Sequence, residues 1–185
     1  MESNRLLEEN PIIAAVKNQG ELEIALESDV QVIFVLFGDI LNIRDISRRI
    51  NEKDKIGIIH MDLVDGITGK EAGMKYLKKE TFFKGVISTK PQVVKYAKNE
   101  GLYAIQRIFI FDTISLNNAS KHLGSECDAI EVLPGVIPKV IEKLSKKSQK
   151  PIVAGGLIET KEEVITALSS GATCVSTTKK EIWDM

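Results

Sequence analysis

PIVAGGLIETKEEVITALSSGATCVSTT, residues 151–178, decides the fold: it reads as strand, glycine pair, helix and strand, ending in a run of hydroxyls. Pro151-Ile152-Val153-Ala154 is a short apolar run suited to a strand buried on both faces. Gly155-Gly156 then lets the backbone approach a ligand with no side chain in the way. Thr160 and Glu163 have the spacing of a capping box, which starts a helix that turns Val164, Ile165, Ala167 and Leu168 inward. Gly171 stands where that helix should stop. Cys174-Val175-Ser176 is a second strand, with Thr177-Thr178 at its C-terminal end. Backbone amides after the glycine pair and near Thr178 would form an anion site, and barrels of alternating strands and helices often hold phosphate after their last two strands.

Working outward, the same unit recurs. Strand candidates are Pro11–Val16, Val30–Phe37, Lys55–Leu63, Gly85–Ser88, Leu102–Ile110 and Ala129–Leu133. Between them lie helical stretches at Glu21–Glu27, Ile40–Ile50, Glu71–Glu80, Pro91–Gly101, after Asp112, and Val136–Leu144. Eight strand–helix repeats imply a parallel sheet with right-handed crossovers. The expected fold is α/β: a single domain over residues 1–185, built as a compact TIM-type (β/α)8 barrel with short loops and one helix reduced. An open doubly wound sheet is the alternative. The barrel is preferred because polar residues cluster at the ends of nearly every strand, as a shared mouth requires. Ile182-Trp183 reads as a plug closing against the barrel, and the polar start, residues 1–10, as a frayed end or partial helix.

Composition sets further bounds. The chain has 185 residues, enough for a sizeable core, with 25 Lys+Arg against 26 Asp+Glu and a net charge of −1. That balance gives no global pull toward nucleic acid or an acidic membrane, so any RNA contact needs a local basic patch. Cys127 and Cys174 form no CxxC, no signal-peptide pattern opens the chain, and no apolar run approaches a membrane span. A cytoplasmic protein with reduced thiols is expected.

Candidate mouth residues follow from the strand ends: His60 and Asp62, Gln106 and Arg107, Glu131, Gly155-Gly156 and Thr177-Thr178. His60 and Asp62, two apart on one strand, should share a face, whereas only one of Gln106 and Arg107 can point inward. His60 reads as a base, a neutral hydrogen-bonding group or a structural residue. A carboxylate among apolar neighbours needs a partner, so Asp62 should meet a ligand hydroxyl or Arg107, and Glu131 follows the same logic. Arg107 is a cation for phosphate or the counter-ion of Asp62 and Glu131, with the counter-ion role favoured.

No strand carries an interior lysine for Schiff-base chemistry, and His60 and His122 lack metal-ligand spacing with the cysteines. Neither a Walker loop nor GxGxxG is present, so no cofactor or metal is expected. Such a mouth suits a small phosphorylated polyol, and proton transfer by Asp62 or Glu131 stays open.

Five stretches then carry a family resemblance. They are HMDL (60–63) with Gly66, GVIST (85–89), YAIQRIF (103–109) with Asp112, IEVLPGVIP (130–138), and AGG (154–156) with STT (176–178) and Trp183. Together they resemble the glycerol uptake operon antiterminator regulatory proteins across nearly the whole chain. The resemblance implies a TIM-like barrel that binds glycerol 3-phosphate and acts on the untranslated leader of messenger RNA. There it prevents premature termination and switches on genes of glycerol uptake and degradation. It implies no catalytic residues. A small barrel enzyme, an isomerase or lyase acting on a phosphorylated metabolite, is the rival reading. Candidate RNA contacts are Lys139, Lys143, Lys146, Lys147 and Lys150, or else Lys75, Lys78, Lys79 and Lys84, each also readable as a solvated helix face. Oligomeric state is open, with a homo-oligomer one outcome.

Overall fold

The structure, a computed structural model, describes residues 5–122 and 126–185. Eight parallel strands close into a barrel in sequence order: β1 (Ile12–Val16), β2 (Val32–Val35), β3 (Ile56–His60), β4 (Gly85–Ser88), β5 (Tyr103–Phe109), β6 (Ala129–Leu133), β7 (Ile152–Gly155) and β8 (Cys174–Thr177). Closure comes from β8 pairing with β1, Val175 opposite Ile12 and Thr177 opposite Ala14. The short helix α1 (Arg5–Glu8) precedes β1. Connecting helices are α2 (Gln19–Glu27), α3 (Ile43–Glu52), α4 (Glu71–Glu80), α5 (Pro91–Asn99), α6 (Thr113–His122), α7 (Pro138–Ser145) and α8 (Lys161–Ser169). After β8 a single 3-10 turn, Lys180–Ile182, stands where an eighth connecting helix would be, so the reduced helix is the last.

Strand alternation sorts the core into an inside and an outside. Ile13, Phe34, Ile58, Ile87, Ile105, Ala129, Val153 and Cys174 pack within the barrel, joined by Leu7 of α1, which closes the N-terminal end of the strands. Their neighbours Ala14, Ile33, Ile59, Val86, Ala104 and Ile130 pack against the helices instead. Strands covered on both faces lose their alternating pattern, which is why they read as continuous apolar runs. At α8 the capping box is complete: Thr160 accepts from the Glu163 amide, and the Glu163 carboxylate accepts from the Thr160 amide. Trp183 is buried and its Nε1 donates to the Thr177 carbonyl, so the C-terminal turn packs against β8 as a plug.

Among the boundaries that differ from the sequence reading, two have consequences. The third strand stops at His60, and Met61–Leu63 forms a 3-10 turn, so the period-two argument linking His60 to Asp62 does not apply. The second helix-forming stretch begins at Ile43 rather than Ile40. Asp39 ends the preceding segment by accepting the Leu41 and Asn42 amides on Oδ1, which leaves Leu41 91% exposed in the loop.

Candidate functional site

The mouth is organised by three neighbouring strands. On β5, Tyr103, Ile105 and Arg107 face inward and Gln106 faces out, because the side chains alternate. Register sets Arg107 beside Glu131 of β6 and Gly155 of β7 beside Ser176 of β8. Arg107 Nε donates to Glu131 Oε2 at 2.6 Å, and Ser176 Oγ donates to Glu131 Oε1 at 2.7 Å. Glu131 is 1% exposed, and each of its oxygens accepts from one of these donors. Among the described residues the terminal nitrogens of Arg107 have no hydrogen-bond acceptor, which leaves them for a ligand.

Gly155 makes this arrangement possible. A Cβ there would lie 2.6 Å from Glu131 Oε1 and 2.8 Å from Ser176 Oγ. Next to it the backbone takes positive φ at Gly156 (75°) and at Leu157 (62°), a non-glycine residue held in a conformation that costs about 1 kcal/mol or more. Gly135 on the loop after β6 donates to the carbonyls of Gly155 and Gly156, propping this turn from the side. Thr177 Oγ1 donates to the Ile158 carbonyl and accepts from the Lys179 amide, tying the loops after β7 and β8 together. Among the described residues, the amides of Leu157 and Thr178 find no acceptor. The resulting cavity of about 230 Å³ is lined by Arg107, Glu131, Gly156, Ser176, Thr177 and Thr178, among others. Drug-sized ligands occupy about 300 Å³ or more, so this space suits a small metabolite.

His60 and Asp62 form a second group. His60 is 3% exposed at the end of β3. Burial, then the nearby Arg107 guanidinium, push its pKa down to about 4 against the pull of Asp62, so it is neutral near pH 7. Its Nδ1 has no partner among the described residues. Asp62 reaches sideways to the end of β4, accepting from Ser88 Oγ at 2.8 Å and from the Thr89 amide and hydroxyl at 2.7 and 2.8 Å. Burial raises its pKa, but these donors outweigh that and hold it below the usual carboxylate value. Asp62 was expected to meet a ligand hydroxyl or Arg107; among the described residues its carboxylate fastens the turn after β3 to the end of β4 and lies 3.8 Å from Lys90 Nζ.

Of the sequence candidates, the cavity gathers Arg107, Glu131, Gly156, Thr177 and Thr178, with Gly155 beneath. Gln106 is corrected as a mouth residue: its Nε2 donates to the carbonyls of Ser88, Thr89 and Arg107 on the helix side of the sheet. Ser176 was missed, although alternation from the apolar Cys174 would have turned it inward. Ser88 and Thr89 were missed because their partner lies 26 or 27 residues away. Of the candidate lysines, Lys150 is tied to the Cys127 carbonyl and Lys146 pairs with Glu142, while Lys139 and Lys147 are exposed. Lys75 pairs with Glu71.

Residues 12–183 match the family described as glycerol-3-phosphate responsive antiterminator. The chain belongs to this family. The glycerol uptake operon antiterminator regulatory protein of Listeria monocytogenes str. 4b F2365 is 34% identical and superposes with a TM-score of 0.88, over 93% of this chain and 94% of that one. The related protein TM1436 of Thermotoga maritima MSB8 is 29% identical with a TM-score of 0.84, over 95% and 99%. YgcP of Escherichia coli (strain K12), an uncharacterized protein, is 40% identical over 181 residues, 97% of this chain and 95% of its own length. An N-acetylmannosamine-6-phosphate 2-epimerase from Clostridium perfringens, 18% identical with a TM-score of 0.70, shares the fold alone. The antiterminators thus use the barrel that many enzymes share, and the fold by itself does not distinguish the two.

Proposed function

We propose that the mouth cavity binds glycerol 3-phosphate without turnover, and that occupancy switches the affinity of this cytoplasmic antiterminator for leader messenger RNA. The observation that carries the reading is the cavity over β6–β8. It offers loop amides after β7 and β8 for a phosphate and the Arg107–Glu131–Ser176 chain for hydroxyls. The two remaining nitrogens of Arg107 can serve either end of such a ligand.

The state of the titratable groups favours a sensor over an isomerase or lyase. A general base works best with a pKa near the operating pH. Glu131 is ion-paired with Arg107, Asp62 is held below the usual carboxylate value by three donors, and burial pushes His60 down to about 4. Cys174 is fully buried, and burial followed by Glu131 raises its thiol far above the range of a nucleophile.

Isothermal titration with glycerol 3-phosphate, glycerol and inorganic phosphate tests the ligand half of the proposal. Saturable binding of glycerol 3-phosphate, much tighter than either fragment, is the expected result. Equal affinity for phosphate alone, or no heat with any of the three, would refute it.

A further inference from the structure

A second cleft lies behind β5, outside the barrel wall, and the ligand site does not use it. It encloses about 370 Å³ between β5, the start of α5 and α6, and is lined by Thr89, Pro91, Gln106, Ile108, Phe109 and Ser115 together with Arg107. At its edge Phe109 and Phe111 stack with ring centroids 6.0 Å apart and planes within 7°. Phe111 is 84% and Phe109 43% exposed, so a flat aromatic pair faces solvent. Large apolar side chains held this far into water mark interaction surfaces. The pair is also fixed in place. The Phe111 and Asp112 amides both donate to Ser115 Oγ, and the Ser115 amide donates to Asp112 Oδ1, so the turn carrying the rings needs little ordering on binding.

We infer that this cleft and the Phe109–Phe111 pair are where a single-stranded RNA base docks, stacked on the rings with its edge toward the cleft. The inference rests on the RNA half of the proposed function. Three features favour a nucleobase over a second copy of the chain. The exposed side chains are aromatic rings, on which any base can stack, rather than an aliphatic knob or groove. Charge is compatible with a phosphodiester: the cleft lining carries no carboxylate, Lys90 beside Pro91 is 69% exposed although 3.8 Å from Asp62 Oδ1, and the nearby Asp112 carboxylate caps α6. Finally, Gln106 Oε1 is a buried acceptor with no donor among the described residues. Its orientation is determined, because Nε2 faces three carbonyls. A base amino group supplies the donor this cleft lacks.

The same geometry links the two sites. Arg107 lines both the mouth cavity and the cleft, and its carbonyl accepts from Gln106. A ligand that engages the guanidinium therefore acts on a residue shared with the base site.

The test measures binding of the protein's own glycerol-operon leader RNA, in saturating glycerol 3-phosphate, to the wild type and to Phe111→Ala, Phe111→Leu and Phe111→Trp. Losing one stacked base should weaken binding about 5- to 150-fold. Ala and Leu should both show that loss, and Trp should retain wild-type affinity. The response of melting temperature to glycerol 3-phosphate should be unchanged in all three, which separates a docking defect from a folding or ligand defect. Wild-type affinity in the Ala variant, or in Leu, would overturn the stacking site while leaving the ligand-gated reading intact. A wild type that answers to glycerol 3-phosphate but binds no leader RNA would overturn both this site and the RNA half of the function. Self-association of the wild type that Phe111→Ala abolishes, with RNA binding untouched, would assign the surface to a second copy instead.

Discussion

Breaking the Arg107–Glu131 pair should cost more than deleting it. Glu131→Gln keeps the shape and the Ser176 contact but leaves the Arg107 guanidinium, 9% exposed, without its counter-charge. Removing one partner of a buried pair costs about 3–5 kcal/mol, because the other charge is stranded away from water. Here the cavity admits solvent to the terminal nitrogens of Arg107, so the low end, about 3 kcal/mol, is expected. For a chain of this length that is a fall in melting temperature of roughly 6–12 °C. Arg107→Met should cost a similar amount by stranding the carboxylate. The double variant should cost less than either single change, since replacing a buried pair by apolar groups is often neutral. Urea denaturation of the four proteins gives a coupling energy, expected at more than about 3 kcal/mol in magnitude. Singles within about 0.5 kcal/mol of the wild type, or a double equal to their sum, would refute the claim that this pair organises the mouth.

Three further outcomes follow from the geometry. Gly155→Ala drives a Cβ to 2.6 Å from Glu131 Oε1, an overpacking expected to cost about 1–3 kcal/mol and to abolish calorimetric binding of glycerol 3-phosphate. An intact binding isotherm in that variant would mean that Gly155 does not shape the site. His60 has a folded pKa of about 4 against about 6.5 unfolded, so the unfolded chain takes up the proton first. Its contribution is therefore present above about pH 6.5 and lost as pH falls toward 4, about 2 kcal/mol by pH 5. His60→Gln should flatten that part of the stability–pH curve, and an unchanged slope would contradict the displaced pKa. On α7 and just beyond it, Lys139→Glu with Lys143→Glu and Lys147→Glu should flatten the salt dependence of RNA affinity by roughly 0.7 in log–log slope for each lost phosphate contact. An unaltered slope removes that face from the RNA path.

The barrel was legible because its signals are local. Glycine pairs, caps such as Thr160 with Glu163, and apolar runs every few tens of residues each report on a neighbourhood of a few residues. The Arg107–Glu131 pairing was legible for a related reason: a charge flanked by apolar strand residues has few places to go, although alternation alone left open whether Arg107 or Gln106 points inward. The partners of Asp62 were not legible because they sit on and just after the next strand, and because the chain leaves β geometry at Met61, where a period-two rule no longer counts. Ser176 was overlooked for its chemistry, since a small hydroxyl in a strand gives no sign of a buried carboxylate 45 residues earlier. The stacked phenylalanines were invisible in sequence, because exposure of an aromatic side chain depends on which loop residue the barrel leaves uncovered.

Coupling between the mouth cavity and the proposed RNA surface is tested directly by a leader-RNA titration with and without saturating glycerol 3-phosphate. The ligand should tighten RNA binding, and RNA should tighten ligand binding by the same factor, since the coupling is reciprocal. An RNA dissociation constant that is identical in the presence and absence of glycerol 3-phosphate would contradict it.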